Sequence, residues 1–364
     1  MALSLCGGGL AAQNTFLVDA SGLQAAIDAA APGDVLRVQS GSLGFSALRI
    51  DKPLAIHIDA GIVFFAVDTA ISGIPAGTTL VLQGLDSRGG RLTVQDCAGP
   101  VVLAGCTLQI SGGTVVRRCG DVAVEDSQLT GGLLVESSTL LLHGSTVRGL
   151  EPVPHLTVTT GPALDLRNSD VGICDCTLWG GTQTVSPLGD PSRPALELAA
   201  SSARAAGTTS LVAGSGVWTQ DVDAVSGNGS LVYDDRTTFV PLFNGAPIGA
   251  GVTGSALRLP TVAVTRSSIG SSATFTGRGE PNGVFGLLLG LPGPSFTLPG
   301  IDGAGRVRGF VVLLTAGFDG QGQFSFSYAV PNNPVLRASP FRWQAVATVG
   351  LRLVWSEPAT EAHF

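Results

Sequence analysis

Five charged residues expected to face outward fall in the stretch from residue 165 to residue 197: Asp165, Arg167, Asp170, Asp175 and Glu197. Carboxyl groups held a few ångströms apart can run acid–base chemistry. Asp165, Arg167 and Glu197 are therefore the candidate catalytic residues. Asp170 and Asp175 are candidate ligand contacts, and Trp179 offers an aromatic face on which a sugar could stack. The competing reading, a solvated charge ladder, is favoured. Arg117 and Arg118 fall earlier in the chain.

Cysteine chemistry is weaker. Cys174-Asp-Cys176 has the look of a metal motif, but no partner pair of Cys or His lies at ligand spacing, so no metal is expected. The acidic pairs Asp221/Asp223 and Asp234/Asp235 read as solvated turns, and His143 as a surface decoration.

The elements that must position these groups are short strands. Segments beginning at Leu92, Val115, Leu133, Leu164 and Leu196 repeat imperfectly, each reading strand, small polar corner, strand, corner, strand. Early spacing is about 18–22 residues, the length of one coil of a solenoid. Later spacing lengthens through insertions at Glu151–Gly161 and Gly180–Pro194, placed to wall a groove.

Stacked coils place like positions over one another at about 4.8 Å. An inward column is expected from Leu103, Val124, Leu142 and Ile173. A corner column is expected from Cys97, Cys119, Ser137 and Asn168, and an outward column from Gln95, Arg118, Glu136 and Arg167. Cys97 and Cys119 then become neighbours within disulfide reach, although a reduced, buried pair is the favoured reading. Cys106 and Cys176 share a column three coils apart.

Composition agrees with many short strands. Of 364 residues, 51 are glycine, 44% are hydrophobic and only 13% are charged. Lys52 is the only lysine. The net charge of −7 with no basic run excludes a phosphate-tracking surface, so nucleic acid is not an expected partner. No apolar stretch reaches the roughly 18–20 residues of a membrane span. Residues 1–13 end in Ala11-Ala12-Gln13 and look signal-like or disordered; Leu5 before Cys6 fits lipid attachment poorly.

The segments LQAAIDAAAPGDVLRV and FSALRIDKPLAIHI resemble the opening of right-handed parallel β-helix proteins of the pectate-lyase-like superfamily. There a short amphipathic helix plugs the open end of the solenoid, as an uncovered end would expose apolar core. Ser21 is the expected N-cap, with Leu23, Ala26, Ile27 and Ala30 as the apolar face. The resemblance implies an all-β fold, with a parallel β-helix over 14–214, a connecting segment over 215–255 and a β-sandwich-like domain over 256–364. That last part resembles a C-terminal β-module of secreted bacterial proteins, and Asp319-Gly320 marks a hairpin within it.

The superfamily implies cleavage of acidic polysaccharides, but its catalytic sets are missing here. The combined set of Asn-Thr-Asp, Asp-Asp and Gly-His-Gly is absent, and so are the clustered acids and Arg/Lys pair of the lyases. The expected function is a non-catalytic, secreted or cell-surface scaffold or binding protein touching carbohydrate along its solenoid, without a cofactor. The alternatives are a divergent polysaccharide lyase or glycoside hydrolase, with Ca²⁺ entering only for a lyase, and a subunit of a surface assembly.

Overall fold

Short runs of aliphatic residues punctuated by single left-handed residues fold most of the chain into stacked three-sided coils. The computed structural model describes every residue except 1–13, 45–46, 110–111, 152–159, 183–190, 216–219, 266, 334–335, 337–338 and 363–364. The signal-like start with Cys6 and most of both insertions lie outside the described residues. The architecture is a right-handed parallel β-helix followed by smaller antiparallel sheets, as expected.

A representative coil runs Leu92–Gln95 on the first face, Val101–Ala104 on the second and Thr107–Gln109 on the third. Every face is a parallel ladder. On the second face, Leu103 pairs with Val124, Val124 with Leu142, and Leu142 with Ile173. All four are at most 1% exposed, which confirms the expected inward column.

The bend from first to second face is made by one residue per coil with φ near +50°: Asp96, Arg118, Ser137, Asn168 and Ala200. Their side chains are therefore not the inward stack. The inward corner column is instead Cys97, Cys119, Ser138, Ser169 and Ser201. The Ser138, Ser169 and Ser201 hydroxyls each accept the backbone N–H of the corner residue on the coil before. Ser137 and Asn168 were thus placed one residue out. A second corner stack joins Cys106, Ser127, Ser145, Cys176 and Thr209 in the same way. The outward column shifts likewise: Gln95, Arg117, Glu136 and Arg167 are direct partners, with Arg117 in place of Arg118. The five described cysteines are buried and joined by no disulfide.

The parallel ladders continue through Val225–Tyr233, Thr238–Val240 and Val252–Ala256, into residues expected to form a connecting segment. Gly227-Asn-Gly reads as a turn, yet it crosses between the first and second faces inside one long strand. At the opposite end, helix Leu23–Ala29 buries Leu23 and Ile27 against the coils. Asp19 caps the 3-10 turn Ala20–Gly22 that leads into it, accepting from Ser21 N–H at 2.9 Å, and the helix's own N-cap is Gly22, so Ser21 is not the cap. Lys52 Nζ donates to the Asp28 and Ala30 carbonyls at the helix C-terminus, where the helix dipole favours a cation.

Beyond the coils, a three-stranded antiparallel sheet (Thr261–Val264, Ser272–Arg278 and Gln323–Ala329) faces a six-stranded one. Side chains of both form one core, with the Phe275 and Trp343 ring centroids 3.9 Å apart. This C-terminal module folds back onto the second face. Arg342 Nη1 meets Asp121 Oδ2 at 2.6 Å, Arg306 Nη2 meets Asp170 Oδ2 at 2.7 Å, and Arg204 Nε meets Glu357 Oε1 at 2.7 Å. Asp234, expected on a solvated turn, is fully buried. It pairs with Arg236 at 2.7 Å and accepts the Leu259 N–H.

Candidate functional site

The left-handed corner dictates where outward chemistry collects. A residue at φ near +50° bends the chain sharply, and among non-glycine residues asparagine tolerates that conformation best. Because the bend recurs on each coil, Arg118, Ser137, Asn168 and Ala200 line up along one edge of the solenoid. Together with Thr139, Asp170 and Ser202 they line an open groove of about 790 Å³.

The charges around the groove are paired. Arg118 Nε lies 2.6 Å from Asp96 Oδ1, which draws the Asp96 carboxyl below its ordinary value and pushes the guanidinium up. On the adjoining first face, Arg117 meets Glu136 at 2.9 Å and Arg167 meets Asp165 at 2.7 Å. The Arg167 guanidinium is pushed up first by its hydrogen bond to Asp165 and by that residue's charge, with Glu136 and Glu197 adding to it.

Asp165 and Glu197 are direct partners on neighbouring coils, so the structure does bring the candidate catalytic trio Asp165, Arg167 and Glu197 onto one face. Asp170 sits at the groove edge rather than with them. Ser202 Oγ donates to its Oδ1 at 2.7 Å, and Arg306 holds its Oδ2.

The other two candidates are elsewhere. Asp175 occupies the bend between second and third faces, where its Oδ1 accepts from the Thr208 N–H at 2.8 Å and hydroxyl at 2.9 Å. Burial pushes its carboxyl up. Those hydrogen bonds and the charge of His143 outweigh that, leaving it below the ordinary 3.8. Trp179 ends a third-face strand, Thr177–Trp179, just before the second insertion. It is 42% exposed, and the Arg148 guanidinium sits 4.7 Å over its ring.

Sequence reasoning missed the groove floor and misplaced His143. That residue is 8% exposed, and its Nδ1 lies 3.3 Å from Glu125 Oε2. Burial pushes the imidazole down, but the hydrogen bond and charge of Glu125 overcome it and carry it up to about 9. A signal was present. Second-face strands such as Val101–Ala104 and Val122–Glu125 are buried at every position, whereas first-face strands such as Leu92–Gln95 alternate. Continuous apolar runs mark strands covered on both sides.

No protein-family model and no curated protein matches the chain. Among solved structures it is similar to the enzymatically active domain of tailspike protein 2 from bacteriophage CBA120. The identity is 11% and the TM-score 0.30, and the match covers 96% of this chain and 72% of that one. At that distance the assignment of a parallel β-helix rests on the chain's own ladders.

Proposed function

We propose that this chain is a non-catalytic binding protein of the cell exterior, and that the groove along the first corner receives a polysaccharide. The carrying observation is the corner column. A linear glycan presents hydroxyl groups at regular intervals, and Arg118, Ser137 and Asn168 offer a guanidinium, a hydroxyl and an amide on three successive coils. Coil spacing of about 4.8 Å sets their repeat. The alternating Arg117, Glu136 and Arg167 of the adjoining face extend the polar surface.

The alternative, a divergent polysaccharide lyase or hydrolase using Asp165, Arg167 and Glu197, is less well supported. A hydrolase keeps one carboxyl protonated near neutral pH by withholding positive charge from it. Here Arg167 sits directly against Asp165.

A specific observation also favours assembly. Phe310, Val311 and Val312 are 40–57% exposed on Gly305–Gly317, the edge strand of the six-stranded sheet. Exposed apolar edges invite pairing with another chain. Sedimentation across a concentration series separates this reading, since only an assembly subunit would grow in mass.

Affinity electrophoresis in gels cast with acidic and neutral polysaccharides tests the binding reading. Retardation by at least one glycan is expected, and it should weaken in Arg118→Ala and Asn168→Gly. Glycine tolerates the left-handed corner, so the second variant removes the amide without straining the bend. Each lost hydrogen bond is worth about 0.5–1.5 kcal/mol, or roughly two- to tenfold in affinity. No retardation by any polysaccharide, or retardation indifferent to both variants, rejects the groove.

A further inference from the structure

The bend at the far edge of the second face gathers ligand-type side chains from separate coils. A ring nitrogen of His143, the Cys174 sulfur and an Asp175 carboxylate oxygen lie within 4.8 Å of one another. Register puts them there. Glu125 pairs directly with His143 and His143 with Cys174, on three successive coils, and Asp175 follows at the corner.

Two features single out this cluster. Glu125 holds His143 Nδ1, while the buried Nε2 has no hydrogen-bond partner. A buried polar nitrogen left alone in a native interior calls for a reason. A carboxylate behind one imidazole nitrogen is also the arrangement that orients the other toward a metal. Asp175, meanwhile, spends Oδ1 on Thr208, and its Oδ2 accepts the Cys174 thiol at 3.6 Å, the hydrogen bond a metal would replace. Tetrahedral zinc, with Zn–S about 2.3 Å and Zn–O about 2.0 Å, sets its ligand atoms about 3.5 Å apart.

We infer that His143 Nε2, Cys174 Sγ and Asp175 Oδ2 form a Zn²⁺ site, with Glu125 as its positioning residue. One thiolate, one imidazole and one carboxylate suit zinc, whereas Ca²⁺ and Mg²⁺ take oxygen ligands. On binding, the Cys174 S–H proton and the His143 Nε2–H proton leave to solvent and S–Zn and N–Zn bonds replace them, with no change of oxidation state. The fourth position is left to water. The site lies at the seam with the C-terminal module: Cys174 packs with Leu259 and Val354, and Glu125 Oε1 accepts the Thr360 N–H. A bound ion ties two neighbouring coils to each other beneath that module. Cys174-Asp-Cys176 therefore carries half of a metal motif after all. Cys176 points into the core, and the missing ligand comes from the preceding coil.

The test uses the full chain, freed of metal by a chelator and desalted. Titration with Zn²⁺ and elemental analysis should find one equivalent retained. Co²⁺ in its place should give tetrahedral absorption bands and a thiolate-to-cobalt charge-transfer band. Cys174→Ser should abolish the charge-transfer band. Glu125→Gln should keep it and weaken binding about 10–100-fold, and Cys176→Ser should leave both unchanged. Less than stoichiometric zinc in the unmodified chain, a measurement that needs no variant to fold, overturns the site. So does a charge-transfer band that survives Cys174→Ser.

Discussion

Arg342 and Asp121 meet at 2.6 Å across the seam between the C-terminal module and the second face, and neither side chain is more than 4% exposed. Arg342 Nη1 also donates to the Arg306 carbonyl, and its Nε to Thr360 Oγ1. One pair thus links the coils to three strands of the module.

Removing one partner should be far worse than removing both. Asp121→Ala leaves a buried guanidinium without its counter-ion, at a cost of about 3–5 kcal/mol. Asp121 Oδ1 and Arg342 Nη2 already lack partners, so the pair is imperfectly satisfied. Asp121→Ala/Arg342→Met should therefore recover most of the loss. Denaturant unfolding of the three proteins checks this; equal destabilisation by the single and double variants contradicts it.

The aliphatic column makes a second prediction. Leu142 is 1% exposed and stacked between Val124 and Ile173. Leu142→Ala should cost about 2–5 kcal/mol, because neighbours pinned by ladder hydrogen bonds cannot close the cavity. An unfolding midpoint that scarcely moves would mean the stack is not a packed core.

His57 gives the pH dependence. Burial pushes its imidazole below the ordinary 6.5, Asp59 opposes this and Arg37 reinforces it. The folded state thus resists a proton that the unfolded chain accepts. The contribution is fully present above pH 6.5 and is lost as pH falls through the lower, folded value. Histidine NMR should place the His57 midpoint below 6.5, and His57→Gln should flatten the acid side of the stability profile. A midpoint above 6.5 reverses the sign.

Thiol chemistry offers a fourth check. Cys97, Cys106, Cys119, Cys174 and Cys176 form no disulfide with one another and are at most 2% exposed. Alkylation of these five should be slow in the native protein and complete under denaturant, with none protected by a disulfide. A Cys97–Cys119 disulfide in peptide mass mapping would contradict the corner stack.

Much of the solenoid was legible because its inward strand residues are aliphatic on every coil, as Leu103, Val124, Leu142 and Ile173 are. The corners were read one residue out. Serine and asparagine suit both the left-handed bend and the inward hydrogen-bond stack, so Ser137 and Ser138 cannot be told apart by type. The last coils were hidden by Gly227 and Gly229, whose close approach to the preceding coil leaves no room for a side chain but reads as a turn. For the site, first-face register put Asp165 beside Glu197 as the repeat implied. The cover over the second face depends on contacts such as Arg342–Asp121 between residues far apart in sequence, which no local pattern encodes.

Binding without cleavage is the central claim, and recovery of a bound glycan tests it most directly. A polysaccharide that retards the chain in gels should be incubated with it to saturation, with and without Ca²⁺, then released and sized while reducing ends and unsaturated uronate absorbance are followed. The account predicts saturable binding and a glycan of unchanged length. Shortened chains or new unsaturated ends, lost in Asp165→Asn or Glu197→Gln, would contradict it and make the first face beside the groove an active site.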